Sequence, residues 1–145
     1  MAVKQLAVFV ENAPGRLKAV AQVLADAEVN MRAISLADTS DFGVIRMIVS
    51  DNEKALEVLE AHHFTAKLSD VLAVRVGDAP GQLLTLLGEF EERGINIEYM
   101  YAFKIGQADS ALMLFKLDQQ DAAEALLREK GHHVLTTQQE VMETI

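Results

Sequence analysis

Apolar positions in the first half of the chain follow one order of predicted elements. Residues 3–10 form an apolar, β-rich run, and residues 31–37 and 44–49 have the same character. A second helix is predicted after Asp51, which can cap it, and residues 64–68 fit a short last strand. Between the first two runs, apolar residues recur at the spacing of one helix face, at Leu17, Val20, Ala21 and Leu24. The pattern predicts a β-α-β-β-α-β unit.

The second half repeats this order. Its predicted strands are residues 71–76, 97–103, 111–117 and 134–135. Its predicted helices are one with Leu83, Leu86, Leu87 and Phe90 on its face, one at residues 122–129, and a short one in the tail at 137–145. Turns between the two central strands of each copy are predicted at residues 38–41 and 105–107.

A sequence repeat supports this duplication. The only two prolines, Pro14 and Pro80, are 66 positions apart and lie in one motif, Asn12-Ala-Pro-Gly-Arg-Leu17 and Asp78-Ala-Pro-Gly-Gln-Leu83. The same shift aligns residues 29–31 with 95–97, and a shift larger by one residue brings 49–51 near 116–118. We therefore predict two domains, at residues 1–69 and 70–145.

The predicted fold class is α+β, with two ferredoxin-like units whose antiparallel sheets are joined edge to edge. In such a unit both helices cover one face of the sheet. Units of about 70 residues are marginal alone, because small domains bury a low share of their surface. A strand at the edge of a sheet has unpaired N–H and C=O groups that can pair with another strand. We therefore expect strand Met31–Ala37 to pair with strand Ile97–Phe103, and the protein to form a homodimer.

Composition narrows the classes of function. The 145 residues contain no cysteine, which excludes disulfides, thiolate metal sites and cysteine nucleophiles, and fits a cytoplasmic protein. The net charge of -9, with no basic patch, argues against nucleic-acid binding. No apolar run approaches the roughly 20 residues of a membrane-spanning helix. The N-terminus has the pattern of a strand and lacks that of a signal peptide.

The repeated Pro-Gly turn is the most informative motif. It joins a strand to the start of a helix, where free N–H groups favour a carboxylate. Gly15 and Gly81 permit close approach of a ligand, while Asn12 and Asp78 can accept from an ammonium group. A carboxylate site beside an ammonium acceptor describes an amino-acid pocket. The alternative is structural, because Asn and Asp are favoured helix caps and Pro and Gly are common in turns.

Both copies of the motif, followed by an apolar helix and by Val29-Asn-Met31 or Ile95-Asn-Ile97, resemble the ACT domain over nearly the whole chain. The resemblance implies regulatory binding of an amino acid between modules and, with no enzyme domain attached, a separate regulated enzyme. Some members of the family carry a His at the positions of Val10 and Val76, so this chain departs from them. The implied ligand contacts are the turns Asn12, Ala13, Pro14, Gly15, Arg16, Leu17 and Asp78, Ala79, Pro80, Gly81, Gln82, Leu83, together with Asn30 and Asn96.

Tyr99 and Tyr101 share one strand face and are further candidates for ligand contact, or pack at a sheet edge. The pairs His62-His63 and His132-His133 suggest loops, because adjacent residues point opposite ways and rarely chelate a metal. No nucleophile-base pattern, phosphate loop or dinucleotide motif occurs, so we expect no catalysis, cofactor or metal. The sequence leaves two alternative functions open: a structural interaction module without a ligand, and a small enzyme on the same fold.

Overall fold

The computed structural model of the protein describes residues 3–38, 41–105 and 109–145. The predicted turns at 38–41 and 105–107 fall partly on residues 39–40 and 106–107, which lie outside the described residues. The elements of the first half are β1 Val3–Glu11, α1 Arg16–Asp26, β2 Met31–Asp38, β3 Phe42–Val49 and α2 Asn52–Ala61. Those that follow are β4 Thr65–Gly77, α3 Gln82–Glu92, β5 Ile97–Lys104, β6 Ser110–Leu117, α4 Gln120–Glu129, β7 His133–Leu135 and α5 Gln138–Thr144.

The chain forms two compact units, Lys4–Ser69 and Asp70–Ile145, with Val3 grouped with the second. Strand β4 contributes to both, because Ala66 and Leu68 pack on the first core while later residues of the strand belong to the second. The separate strands predicted at 64–68 and 71–76 are thus one strand. No Gly or Pro stands at residues 69–70 to end it. We keep 1–69 and 70–145 as the proposed domain bounds.

In the first unit, β3 pairs antiparallel with both β1 and β2. Strand β4, whose residues 65–69 belong to this unit, is the other neighbour of β1. Alternate residues of β1 face the helices, and they form the core with one stripe of each helix. Fully buried members of this core are Leu6, Val8, Val20, Leu24, Ile45 and Leu59.

The second unit has the same arrangement, with the strand order β7-β4-β6-β5 and antiparallel pairs throughout. Its core is centred on Phe90 of α3 and Phe115 of β6, whose rings meet edge to face with centroids 5.4 Å apart. Helix α5 has no counterpart among the described elements of the first unit, and it buries Val141. The predicted β-α-β-β-α-β order and α+β class are therefore confirmed for both units. No helix in the described ranges is long and apolar enough to span a membrane.

Two sequence expectations need correction. Each of β2 and β5 is an outer strand, paired with β3 and β6 respectively, so the predicted pairing of β2 with β5 within the chain is wrong for the described residues. The chain passes instead from the first unit into the second along β4. The one-residue slip of the repeat is also wrong. Met31 pairs with Val49, and Ile97 pairs with Leu117. The repeat therefore slips by two residues between these strands, which matches the longer β5–β6 connection.

Candidate ligand sites at the two proline-glycine turns

Glycine, and not the Asx residue, caps the helix at each turn. Gly15 is the N-cap of α1 with φ 85° and ψ -6°, and Gly81 is the N-cap of α3 with φ 89° and ψ -10°. Neither helix start has a side-chain capping bond. The structural explanation that Asn12 and Asp78 are helix caps is therefore wrong, and both side chains are exposed. The left-handed conformation explains the glycines, since other residues adopt it at a cost.

Backbone hydrogen bonds hold both turns in the same way. The N–H of Asn12 donates to the carbonyl of Asp41 at 3.0 Å, and that of Asp78 donates to the carbonyl of Asp109 at 2.9 Å. Each turn is thus fixed to the start of the third strand of its own unit. The shared bond gives the two copies one geometry despite their different Asx residues.

Two backbone donors at each helix start have no acceptor. The first helical bonds run from Ala19 to the carbonyl of Gly15 and from Thr85 to that of Gly81, each at 3.0 Å. In the part of the chain that the structure describes, the N–H groups of residues 17 and 18, and of 83 and 84, donate to no protein atom. A Cβ built on Gly15 or Gly81 would meet no heavy atom within 4 Å, so the space beside these donors is open. Each helix start can accept an anionic group.

The two turns differ in charge. The first has neutral Asn12 and cationic Arg16, whereas the second has anionic Asp78 and neutral Gln82 at the matching positions. The guanidinium of Arg16 lies 4.9 Å from the centre of the Phe64 ring, and its Nε is buried without a hydrogen-bond partner among the described residues. Among the motif residues, the first turn thus carries a cation and the second an anion, while the carboxylates of Glu11 and Asp38 also line the cavity beside the first turn.

A small cavity of about 70 Å³ adjoins the first turn. Leu36 and Gly43 line it together with Arg16 and Leu17, and the side chain of Leu36 fills the space above Gly43. Small-molecule pockets commonly have about 300–1,000 Å³. The side chains of Leu17 and Leu36 are 45% and 54% exposed. Their apolar surface is therefore available to another surface that would enclose the cavity further. The sequence motif did not reveal Leu36 or Gly43, because their approach to the turn depends on strand register.

Residues 1–145 match the family model described as ACT domain pair. The chain belongs to this family. No curated protein sequence matches it. Among solved structures, protein BT0572 from Bacteroides thetaiotaomicron is 37% identical with a TM-score of 0.87, covering 93% of this chain and 92% of that one.

Two further structures are similar to this ACT domain pair in fold. The ligand-free regulatory subunit of aspartate kinase from Thermus thermophilus has 21% identity and a TM-score of 0.62, over 87% of this chain and 91% of that one. The regulatory subunit of aspartate kinase from Thermus flavus has 19% identity and a TM-score of 0.61, over 87% and 90% of the two chains.

The predicted contacts Asn30 and Asn96 directly precede β2 and β5. The N–H of Asn30 donates to Ser50 Oγ at 2.9 Å, and that of Asn96 donates to Asp118 Oδ1 at 2.9 Å. The Pro-Gly turn of the same unit adjoins the opposite end of the strand. A strand of eight residues is roughly 25 Å long, and this length separates the asparagine from the turn. Within a unit, then, the structure does not bring the asparagine to its own turn.

Tyr99 and Tyr101 are half-buried on β5, opposite Lys116 and Leu114 of β6. They alternate with Met100, which packs on the core, so they occupy the sheet face away from α3 and α4. The second turn leads into α3, which covers the opposite face of this sheet. Of the histidines, His132 contacts Glu89 Oε2 at 2.6 Å, and no metal-binding cluster occurs in the described ranges.

Proposed function

We propose that this ACT domain pair binds an amino acid at its Pro-Gly turns and acts as a regulatory or sensor module of amino-acid metabolism, without catalysis. The supporting observation is the same at both turns. Two helix-start N–H groups lack an acceptor among the described residues, and they lie near an Asx side chain that is not used as a cap.

In the proposed complex, the ligand carboxylate accepts from the N–H groups of residues 17 and 18, or of 83 and 84. Asn12 or Asp78 accepts from the ammonium group. Asp78 holds the ammonium more strongly than Asn12, because charge-assisted hydrogen bonds are roughly twice as strong as neutral ones. Asn30 and Asn96 remain proposed contacts on the sequence resemblance, and Tyr99 and Tyr101 remain proposed contacts because they share one strand face.

We further propose a homodimer and a separate enzyme as the regulated partner, in the cytoplasm. The small volume at the first turn and the exposed apolar side chains around it support assembly with another surface. The solved regulatory subunits of aspartate kinase share the fold, and they motivate the idea of a partner enzyme. Light scattering that gives the monomer mass at all concentrations would refute the homodimer.

A thermal-shift screen of the twenty common amino acids tests the proposal. A ligand at 100 times its dissociation constant stabilises the protein by about 2.7 kcal/mol. Calorimetry on the Gly15→Val/Gly81→Val variant, with its fold checked by circular dichroism, then assigns the site. Loss of binding supports a ligand site at the Pro-Gly turns. Unchanged binding places the ligand elsewhere, and no binding by the unaltered protein favours a structural interaction module.

A further inference from the structure

The second unit contains a cleft beside α5, the helix that follows its last strand. It lies between α5 and the sheet face that points away from α3 and α4, and it has a volume of about 420 Å³. This volume falls within the range of about 300–1,000 Å³ that is usual for small-molecule sites. Its lining includes Arg75, Ile105, His133, Glu140, Glu143 and Thr144.

On the sheet side, Arg75 is held in position by a buried neighbour. Its Nε donates to the hydroxyl of Ser110 at 3.0 Å, and Ser110 is only 9% exposed. Arg75 is also the cross-strand partner of His133, so the two side chains share one face. Among the described residues Arg75 has no carboxylate partner, and its terminal nitrogens are available to an anion.

On the helix side, Glu140 is also held by neutral groups. Its Oε1 accepts from the hydroxyls of Thr136 at 3.1 Å and Thr137 at 3.2 Å. The hydrogen bonds from Thr136, followed by those from Thr137, keep the pKa of Glu140 below its ordinary value, so the group is anionic at neutral pH. One turn further along, Glu143 accepts from Gln139 at 2.9 Å.

The cleft thus combines a fixed cation on one wall with carboxylates on the other, and in the described ranges these groups form no ion pair with each other. We propose that it binds a small zwitterion, with the anionic group on Arg75 and the cationic group on Glu140 and Glu143. A guanidinium with free terminal nitrogens can bind a carboxylate through two parallel hydrogen bonds. Ile105 offers an apolar contact for the part of the ligand between the charges. This site is separate from the Pro-Gly turns and does not depend on them.

Three ω-amino acids, β-alanine, 4-aminobutyrate and 5-aminovalerate, test the proposal. Their charges lie at opposite ends of a short chain, whereas the turn sites are proposed to bind both groups on one carbon. In an NMR titration of the full chain, at least one probe should give saturable shifts at the amides of residues 133–135 and 138–144. Butyrate and butylammonium, which carry one charge each, should bind about tenfold more weakly or worse, since each lacks one charged hydrogen-bonding group.

The Arg75→Gln variant should weaken binding of that probe about tenfold or more. The Arg128→Gln variant removes the same charge from α4 outside the cleft and should leave the affinity unchanged. If Arg75→Gln does not fold, Glu143→Gln on the exposed side of α5 provides the same test. The proposal is overturned if no probe gives saturable shifts, if butyrate binds as well as the zwitterions, or if Arg75→Gln weakens binding no more than Arg128→Gln. The Gly15→Val/Gly81→Val variant should bind the probe normally, which separates this site from the proposed function.

Discussion

Gly81, with φ 89°, repeats the left-handed conformation of Gly15, with φ 85°, at the start of the corresponding helix. Both residues are helix caps, and neither helix start has a side-chain capping bond. A Cβ at either position would meet open space, so any cost of substitution comes from the backbone angle and not from a clash. This relationship gives the two turns the same backbone geometry and leaves both open to solvent.

The backbone angle can be tested by comparing two glycines of the same segment. Gly81→Ala should destabilise the protein by about 1–2 kcal/mol, the cost of a left-handed conformation for a residue with a Cβ. Gly88→Ala, in the interior of α3 and also facing open space, should stabilise it by up to about 1 kcal/mol. Urea denaturation measures both. Equal effects of the two substitutions would show that the positive φ of Gly81 is not the reason for glycine at that position.

The role of the Asx residues can be separated from capping by a stability comparison. Asn12→Ala and Asp78→Ala should change the free energy of unfolding by less than about 0.5 kcal/mol, because their side chains cap no helix. Asp51→Ala is the control, because Asp51 Oδ1 accepts from the N–H of Lys54 at 3.0 Å, and its loss should cost about 1 kcal/mol. A cost for Asn12→Ala as large as that for Asp51→Ala would mean that Asn12 has a structural task.

Exchanging the Asx residues should exchange the strengths of the two proposed sites. Asp78→Asn should weaken amino-acid binding at the second turn, and Asn12→Asp should strengthen it at the first, each by about tenfold or less. Calorimetry on each single variant measures the change. Affinities that do not respond to either exchange would contradict the assignment of these side chains to the ammonium group.

Acidification should weaken the attachment of α5. A carboxyl whose pKa is lowered by folding stabilises the folded state above its unfolded pKa, and this contribution is lost as the pH falls through the folded pKa. Glu140 is such a group, chiefly through the side-chain hydrogen bond from Thr136. Hydrogen exchange of the α5 amides should therefore accelerate in acid, and Glu140→Gln should remove most of that pH dependence. An unchanged acid response in Glu140→Gln would assign the effect to another group.

The order of elements was predictable because apolar residues follow the periods of strands and helices in both copies. The continuity of β4 was not, because a junction such as Ser69-Asp70 does not by itself show whether two short strands form one. The N-cap was also ambiguous, since Asn and Gly are both favoured there and only the backbone angle of Gly15 distinguishes them. The cleft under α5 depends on tertiary placement of Arg75 and Glu140, residues 65 positions apart with no shared motif.

Amino-acid binding at the two helix starts is tested by an NMR titration of the uniformly labelled protein with the amino acid that gives the largest thermal shift. Saturable shifts are expected at the amides of residues 17 and 18 and of 83 and 84, the donors at the two helix starts that have no acceptor among the described residues. The Gly15→Val/Gly81→Val variant should show these shifts reduced or absent. Saturable shifts elsewhere in the chain, with these four amides unmoved, would show that the amino acid does not bind at the Pro-Gly turns.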